Sequence, residues 1–209
     1  MYRRILVLSP HTDDGELGCG GSIARFVEEG REVHLCALSI AEKSVPEGFP
    51  SDALLTEMRN AARVLGLPDD HVRAHRFEVR EFPSQRQAIL EAILALKREI
   101  EPDLIFVPSP NDIHQDHQVV AREGLRAFKK QTILGYEEPW NNIVFETRFF
   151  VPLEERHVET KVAALRCYET QLARSYLDES FIRSLARTRG TQLESTWAEA
   201  FEVLRMVLP

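Results

Sequence analysis

Two short runs of the sequence place imidazole and carboxylate side chains at close spacing. Residues 11–14 read HTDD, and residues 114–117 read HQDH. Adjacent ionised carboxylates repel each other, and a divalent cation relieves that repulsion. Imidazole and carboxylate ligands suit zinc, and a site with three protein ligands keeps a position for water. The two runs together therefore indicate a metal-dependent hydrolase.

The cysteines offer no alternative metal site. Cys19, Cys36 and Cys167 are scattered and form no CxxC pair, so the sequence predicts neither a thiolate zinc site nor a disulfide framework. A site without thiolates is typical of catalysis, in which bound zinc lowers the pKa of water to about 7. A site of imidazoles and carboxylate can also take iron, cobalt or manganese, so the metal is not fixed by the sequence.

The elements around these runs alternate between strand and helix patterns. Strands are predicted at Ile5–Ser9, Glu32–Ile40 and Asp103–Val107, and helices at Gly20–Glu29, Asp52–Leu65 and Ser84–Ile100. This alternation predicts an α/β fold, with a mostly parallel sheet flanked by helices on both faces, in a single domain of residues 1–209. Ligands bind beyond the carboxyl ends of the strands in such sheets. Each chemical run follows a predicted strand, so both should lie on the same edge.

The last part of the chain is predicted to be mainly helical, at Glu155–Leu172, Glu179–Ala186 and Trp197–Met206. Residues 41–51 and 136–142 are predicted to be loops. Tyr136 and Trp140 lie in the second loop, where an aromatic ring can stack on a sugar or anchor the loop by packing.

The composition and charge of the chain exclude some classes of binding partner. The chain has 209 residues and a formal net charge of −7, and no basic cluster predicts nucleic-acid binding. The apolar run Ile5–Leu8 is too short for a signal core or a membrane span. We therefore expect a cytoplasmic protein with a small-molecule substrate; the sequence allows a homo-oligomer without indicating one.

A glycine-rich segment, residues 18–21 (GCGG), raises the alternative of a nucleotide site. It does not match GxGxxG, and the carboxylates of Asp13, Asp14 and Glu16 would repel a phosphate. The glycines are better explained by close packing of the first helix.

At these residues the sequence resembles the PIG-L-like (LmbE-like) zinc N-deacetylase family. The resemblance rests on residues 10–14, 17–21 and 114–117, with weaker matches at Glu57, Lys161 and Gln171 and near residues 189–201. It implies a Rossmann-like fold and removal of an acetyl group from an N-acetylated amino sugar or glycoconjugate.

The resemblance also implies a role for each site residue. His11, Asp14 and His117 would be the metal ligands. Asp13 would be the general base acting on the metal-bound water, and His114 would be a cation that stabilises the tetrahedral oxyanion.

Asp116 would lie behind the ligands and orient or charge-pair with an imidazole. Two positions depart from the family pattern. Thr12 replaces a common proline without removing a chemical group. Leu54 replaces a common arginine that can touch substrate, so this position bears on which sugar is bound.

Two other functions fit the same residues. One is a metal-dependent amidase or deacylase acting on a non-sugar amide. The other is a catalytically silent protein that binds a metal or a glycan; Asp13 and His114 argue against it, because binding alone would not require them.

Overall fold

Five parallel strands form the part of the sheet that carries both chemical runs. In the computed structural model, which describes residues 2–208, these strands are β1 (Arg4–Ser9), β2 (Glu32–Ala37), β3 (Val72–Ala74), β4 (Leu104–Pro108) and β5 (Thr132–Tyr136). They lie in the order β3-β2-β1-β4-β5, and every neighbouring pair is parallel. The predicted α/β fold with a mostly parallel sheet is confirmed.

Residues 2–208 contain six α-helices. They are α1 (Asp14–Glu28), α2 (Ala53–Val64), α3 (Arg86–Ile100), α4 (Gln115–Ala127), α5 (Glu155–Leu165) and α6 (Glu179–Thr191). None of the helices within residues 2–208 has the length and apolar character that crossing a bilayer requires.

Alternate residues of β1 build two separate cores. Ile5 and Val7 pack in a cluster with side chains of α1 and α2, whereas Leu6 and Leu8 pack in a cluster with α3 and α4. Successive side chains of a strand point to opposite faces, so a strand that is buried on both faces is apolar throughout. This explains why β1 reads as an unbroken apolar run, and it confirms that helices cover both faces.

Two further strands complete the sheet near the end of the chain. β6 (Phe149–Leu153) and β7 (Trp197–Arg205) are antiparallel to each other, and β7 is also antiparallel to β5. The prediction of a helix at Trp197–Met206 was wrong. Alanine, glutamate and leucine favour helices, but here pairing with two strands outweighs that local preference.

The start of α1 also differs from the prediction. The helix begins at Asp14 rather than Gly20, so one of the two adjacent carboxylates lies in its first turn. Among the glycines that follow, Gly18 lies so close to the ring of Tyr136 that a β-carbon would overlap it. The glycine-rich segment therefore permits close packing of α1 on the sheet, as the sequence indicated.

A buried ion pair connects α1, α5 and β7. Lys161 Nζ donates to Glu199 Oε1 at 2.7 Å and to the carbonyl oxygen of Leu17 at 2.6 Å. Glu199 also accepts the backbone N–H groups of Gly21 and Ser22 at 3.0 and 2.7 Å. Both charges are thus compensated inside the protein, and removing one would leave the other buried and unpaired.

We predict that Lys161→Met lowers the free energy of unfolding by about 3–5 kcal/mol, because it leaves the Glu199 carboxylate without its cation. Lys43→Met is the matched control, since Lys43 pairs with Glu78 at the surface. We expect the control to change that free energy by no more than about 0.5 kcal/mol. Urea unfolding followed by circular dichroism measures both; equal losses in the two variants would contradict the prediction.

Candidate metal centre and active site

The two chemical runs meet at the carboxyl ends of β1 and β4, which are neighbours in the sheet. His11 lies just beyond β1, and Asp116 lies in the first turn of α4, which follows β4. His11 Nε2 lies 3.0 Å from Asp116 Oδ2. An ionised carboxylate only accepts hydrogen bonds, so this contact places a proton on Nε2 and directs Nδ1 to the other side of the ring.

One carboxylate oxygen of Asp14 lies near a nitrogen of each of two imidazoles. Asp14 Oδ2 lies 3.2 Å from His11 Nδ1 and 3.4 Å from His117 Nε2. In a tetrahedral zinc site with bonds of about 2.0–2.1 Å, two ligand atoms lie about 3.3 Å apart. Both distances from Asp14 therefore fit a divalent metal of that size. Among residues 2–208, the groups at this site whose donor atoms all lie close to one another are His11 with His114 and His117, and Asp14 with His117 and Glu138.

Asp112 orients the His117 imidazole. Its Oδ2 accepts a hydrogen bond from His117 Nδ1 at 2.8 Å, and its Oδ1 accepts the backbone N–H of His114 at 2.7 Å. With the proton held on Nδ1, the Nε2 lone pair of His117 is free for a metal. Sequence reasoning assigned no role to Asp112, although it lies in the turn between β4 and the second run.

Two carboxylates control the protonation of His11. Burial alone would lower the pKa of His11, but the carboxylates of Asp14 and Asp116 outweigh it and raise that pKa to about 10. The imidazolium of His11 then offsets the nearby negative charge. Because a metal ligand must be deprotonated, a metal that binds Nδ1 takes the place of that proton.

The two adjacent carboxylates differ in proton affinity. Burial, together with the charge of Asp14, raises the pKa of Asp13 to about 6. Burial acts in the same direction on Asp14, but the imidazoles of His117 and His11 outweigh it and hold the pKa of Asp14 well below its usual range. Asp14 is therefore the stronger candidate for an ionised ligand, and Asp13 the better proton acceptor near neutral pH.

His114 occupies the N-cap of α4. Its Nδ1 accepts the backbone N–H of Asp116 at 3.2 Å, so that nitrogen carries no proton. Burial lowers the pKa of His114, and the neighbouring imidazoles of His117 and His11 lower it further. The geometry thus favours a neutral imidazole that donates through Nε2–H, rather than the cation that the resemblance implies.

Glu138 is a second site residue that sequence reasoning missed. It is 1% exposed, its Oε2 lies 3.6 Å from His117 Nδ1, and its Oε1 has no hydrogen-bond partner among residues 2–208. Burial raises its pKa well above the usual value, as do the charges of Asp14 and Asp112. The signal was present: Glu137 and Glu138 are adjacent acids after a strand, as Asp13 and Asp14 are.

A cavity of about 360 Å³ opens over these groups. Its lining includes five of the six predicted site residues, and the sixth, Asp116, is fully buried behind His11.

Trp140 also lines the cavity and stacks on Tyr176, with 4.3 Å between the ring centroids. Tyr136, in contrast, is buried and donates to the carbonyl oxygen of Leu8 at 3.1 Å, so it anchors the fold.

Comparison with known proteins adds independent information. Residues 6–128 match the model of the PIG-L family, which is described as GlcNAc-PI de-N-acetylase. The uncharacterized deacetylase YaiS of Escherichia coli K12 is 27% identical, over 79% of this chain and 90% of its own. The diacetylchitobiose deacetylase of Thermococcus kodakarensis is 24% identical, over 94% of this chain and 81% of its own.

Solved structures share the fold. The conserved protein TT1542 of Thermus thermophilus superimposes with a TM-score of 0.81 at 27% identity, over 100% of this chain and 97% of its own. The 4-carboxy-2-hydroxymuconate hydratase GalB of Pseudomonas putida KT2440 gives a TM-score of 0.80 at 19% identity, over 99% of this chain and 98% of its own. Since that enzyme is a hydratase, the fold alone does not decide the reaction.

We predict that Asp112→Asn weakens metal binding by about 10–100-fold, because the amide no longer fixes the His117 proton on Nδ1. Competition between the protein and a chromogenic chelator for zinc measures the affinity. Asp70→Asn, at an exposed position, is the control and should bind zinc as the wild type does. Equal zinc affinity in the Asp112 variant and this control would contradict the role of Asp112.

Proposed function

The chain belongs to the PIG-L family, and on that premise we propose that it is a metal-dependent hydrolase that removes an acetyl group from an N-acetylated amino sugar or glycoconjugate. The observation that carries the proposal is that two adjacent carboxylates differ in their neighbours and in their pKa. Both line the cavity, but Asp14 lies close to two imidazole nitrogens, whereas Asp13 has the higher pKa.

We propose zinc as the metal, with His11 Nδ1, the Asp14 carboxylate and His117 Nε2 as its ligands. Two neutral imidazoles with one carboxylate suit zinc, and the distances from the Asp14 oxygen to the two imidazole nitrogens match the spacing of ligands around zinc. When bound there, the metal supplies an acidified water and polarises the carbonyl group of the amide.

Asp13 is the proposed general base. Its carboxylate accepts a proton from the water that attacks the amide carbon, and it then delivers that proton to the nitrogen as the carbon–nitrogen bond breaks. Water is thereby added across the amide, and the products are acetate and the free amine. A pKa of about 6 suits this double role, because the group is ionised at neutral pH and still binds a proton.

His114 is the proposed donor to the oxyanion. Its Nδ1 is held by the backbone N–H of Asp116, so its Nε2–H is available to the negative charge that develops on the carbonyl oxygen. Asp116 and Asp112 do not touch the substrate in this scheme. They act by holding the His11 and His117 rings in place.

An amino sugar as substrate is supported by the relatives, of which one is named for diacetylchitobiose. Trp140 on the cavity wall offers an aromatic surface for the C–H groups of a sugar ring. We further propose that the protein works in the cytoplasm, since its three cysteines are unpaired thiols.

We predict that Asp13→Ala loses at least about 100-fold in kcat while keeping its metal, because a base is removed and no ligand is. His117→Ala should lose the metal, and His114→Ala should keep it. Elemental analysis of the purified variants, together with acetate release, measures both properties. Loss of zinc from the Asp13 variant, or equal metal contents in the two histidine variants, would refute the assignment.

The activity itself is tested by a screen of N-acetylated amino sugars for released acetate. Turnover of at least one sugar should stop on addition of a chelator and return on addition of zinc. Release of acyl groups from non-sugar amides only would favour the broader amidase, and zinc binding without any turnover would favour a catalytically silent protein.

A further inference from the structure

The cavity over the metal site is acidic at its floor and basic at its rim. Asp13, Asp14 and Glu138 lie among its lining residues, and so do two arginines, Arg80 and Arg174. Both arginine residues are exposed. They come from separate segments of the chain, one before α3 and the other between α5 and α6, and the fold brings them to the same opening.

The backbone of Arg80 is held in an unusual conformation. Its φ angle is +70°, in the left-handed region that residues other than glycine seldom adopt. Its N–H donates to Asp116 Oδ2 at 2.6 Å, and its carbonyl oxygen accepts the side-chain amide of Gln115. The same Asp116 oxygen contacts His11 Nε2. A residue that is strained and fixed in this way commonly serves a site, and here one carboxylate links it to a proposed metal ligand.

Arg174 is also held by its backbone. Its N–H donates to the carbonyl oxygen of Gln171 at 2.8 Å, and its own carbonyl oxygen accepts the N–H of Leu177 at 3.0 Å. Gln171 is buried and lines the same cavity. The backbone of Arg174 is therefore fixed by hydrogen bonds, whereas its side chain can reach a ligand.

Neither guanidinium forms an ion pair with a carboxylate of residues 2–208, although other arginines nearby do. Arg76 pairs with Glu42, and Arg189 pairs with Glu137. Acidic residues outnumber basic ones in this chain by 33 to 26, so partners are not scarce. Two arginines without a carboxylate partner at the mouth of one cavity offer a paired site for an anion, since the guanidinium group matches carboxylates and phosphates in shape and charge.

We propose that the substrate carries an anionic substituent, a carboxylate or a phosphate, which Arg80 and Arg174 bind while the acetamido group lies at the metal site. This inference rests on the proposed deacetylase function and narrows its substrate class. It also accounts for a positive rim on a protein of net negative charge, because a local pair of cations attracts an anion that the molecule as a whole would repel.

The test compares neutral and anionic N-acetylglucosamine derivatives in the zinc-loaded protein. The probes are the methyl glycoside as the neutral arm, the 1-phosphate and 6-phosphate as phosphate arms, and N-acetylmuramic acid as the carboxylate arm. We expect at least one anionic probe to exceed the neutral one by about tenfold or more in kcat/KM, mainly through a lower KM. Whichever anionic probe has the higher kcat/KM shows whether the site prefers a phosphate or a carboxylate.

The double variant Arg80→Gln/Arg174→Gln should remove that preference, and the corresponding double lysine variant should retain part of it because the charges remain. Arg59→Gln, which replaces an exposed arginine outside the cavity, should behave as the wild type. The inference is overturned if the neutral probe is hydrolysed as well as every anionic one, or if the preference persists in the double glutamine variant.

A separate measurement keeps this inference distinct from the proposed function. If no probe releases acetate, the deacetylase proposal fails, and calorimetric titration of the zinc-loaded protein with glucosamine 6-phosphate and with glucosamine decides on the anion site. Tighter binding of the phosphate, lost in the double glutamine variant, supports the site. Equal binding of the two compounds excludes it.

Discussion

The hydrogen bond between His11 Nε2 and Asp116 Oδ2 joins the two parts of the chain from which the site is built. The Asp116 carboxylate is fully buried and also accepts the backbone N–H groups of Arg80 and Phe82. One side chain therefore sets the proton position on a proposed ligand and fixes the segment at the cavity rim. Asp116 can reach His11 because β1 and β4 are parallel neighbours, so the turns that follow them lie side by side.

The sequence predicts correctly those elements whose local residue pattern matches their burial in the fold. The unbroken apolar run of β1 and the two motifs predicted the parallel sheet and the edge where the site lies. The prediction failed at β7, whose sequence favours a helix locally. The inward carboxylates of that strand are stabilised by distant groups, as Glu199 is by Lys161 and Glu202 is by Ser109 Oγ at 2.6 Å, and no local pattern carries that information.

The residues missed at the site were missed for a related reason. Asp112 lies outside the second run, and Glu138 was indicated only by its acidic neighbour Glu137; each reaches His117 from a turn beyond a different strand. The sequence also could not indicate a neutral His114, because that form is inferred from a hydrogen bond with the first turn of α4. Residue types revealed which chemistry is present, whereas proton positions required the three-dimensional contacts.

Among residues 2–208, donor atoms close enough for a metal occur in two groups at the proposed site, His11 with His114 and His117 and Asp14 with His117 and Glu138, and in a second cluster of Glu32, His34 and His71. It differs in one respect: Arg73 Nη1 lies 3.3 Å from His34 Nδ1, which keeps the proton on Nε2 facing Glu32. Anomalous diffraction at the zinc edge, from crystals grown with zinc, distinguishes the clusters. We expect a peak within about 2.0–2.2 Å of His11 Nδ1, Asp14 and His117 Nε2. A peak only at the second cluster would contradict the proposed metal site.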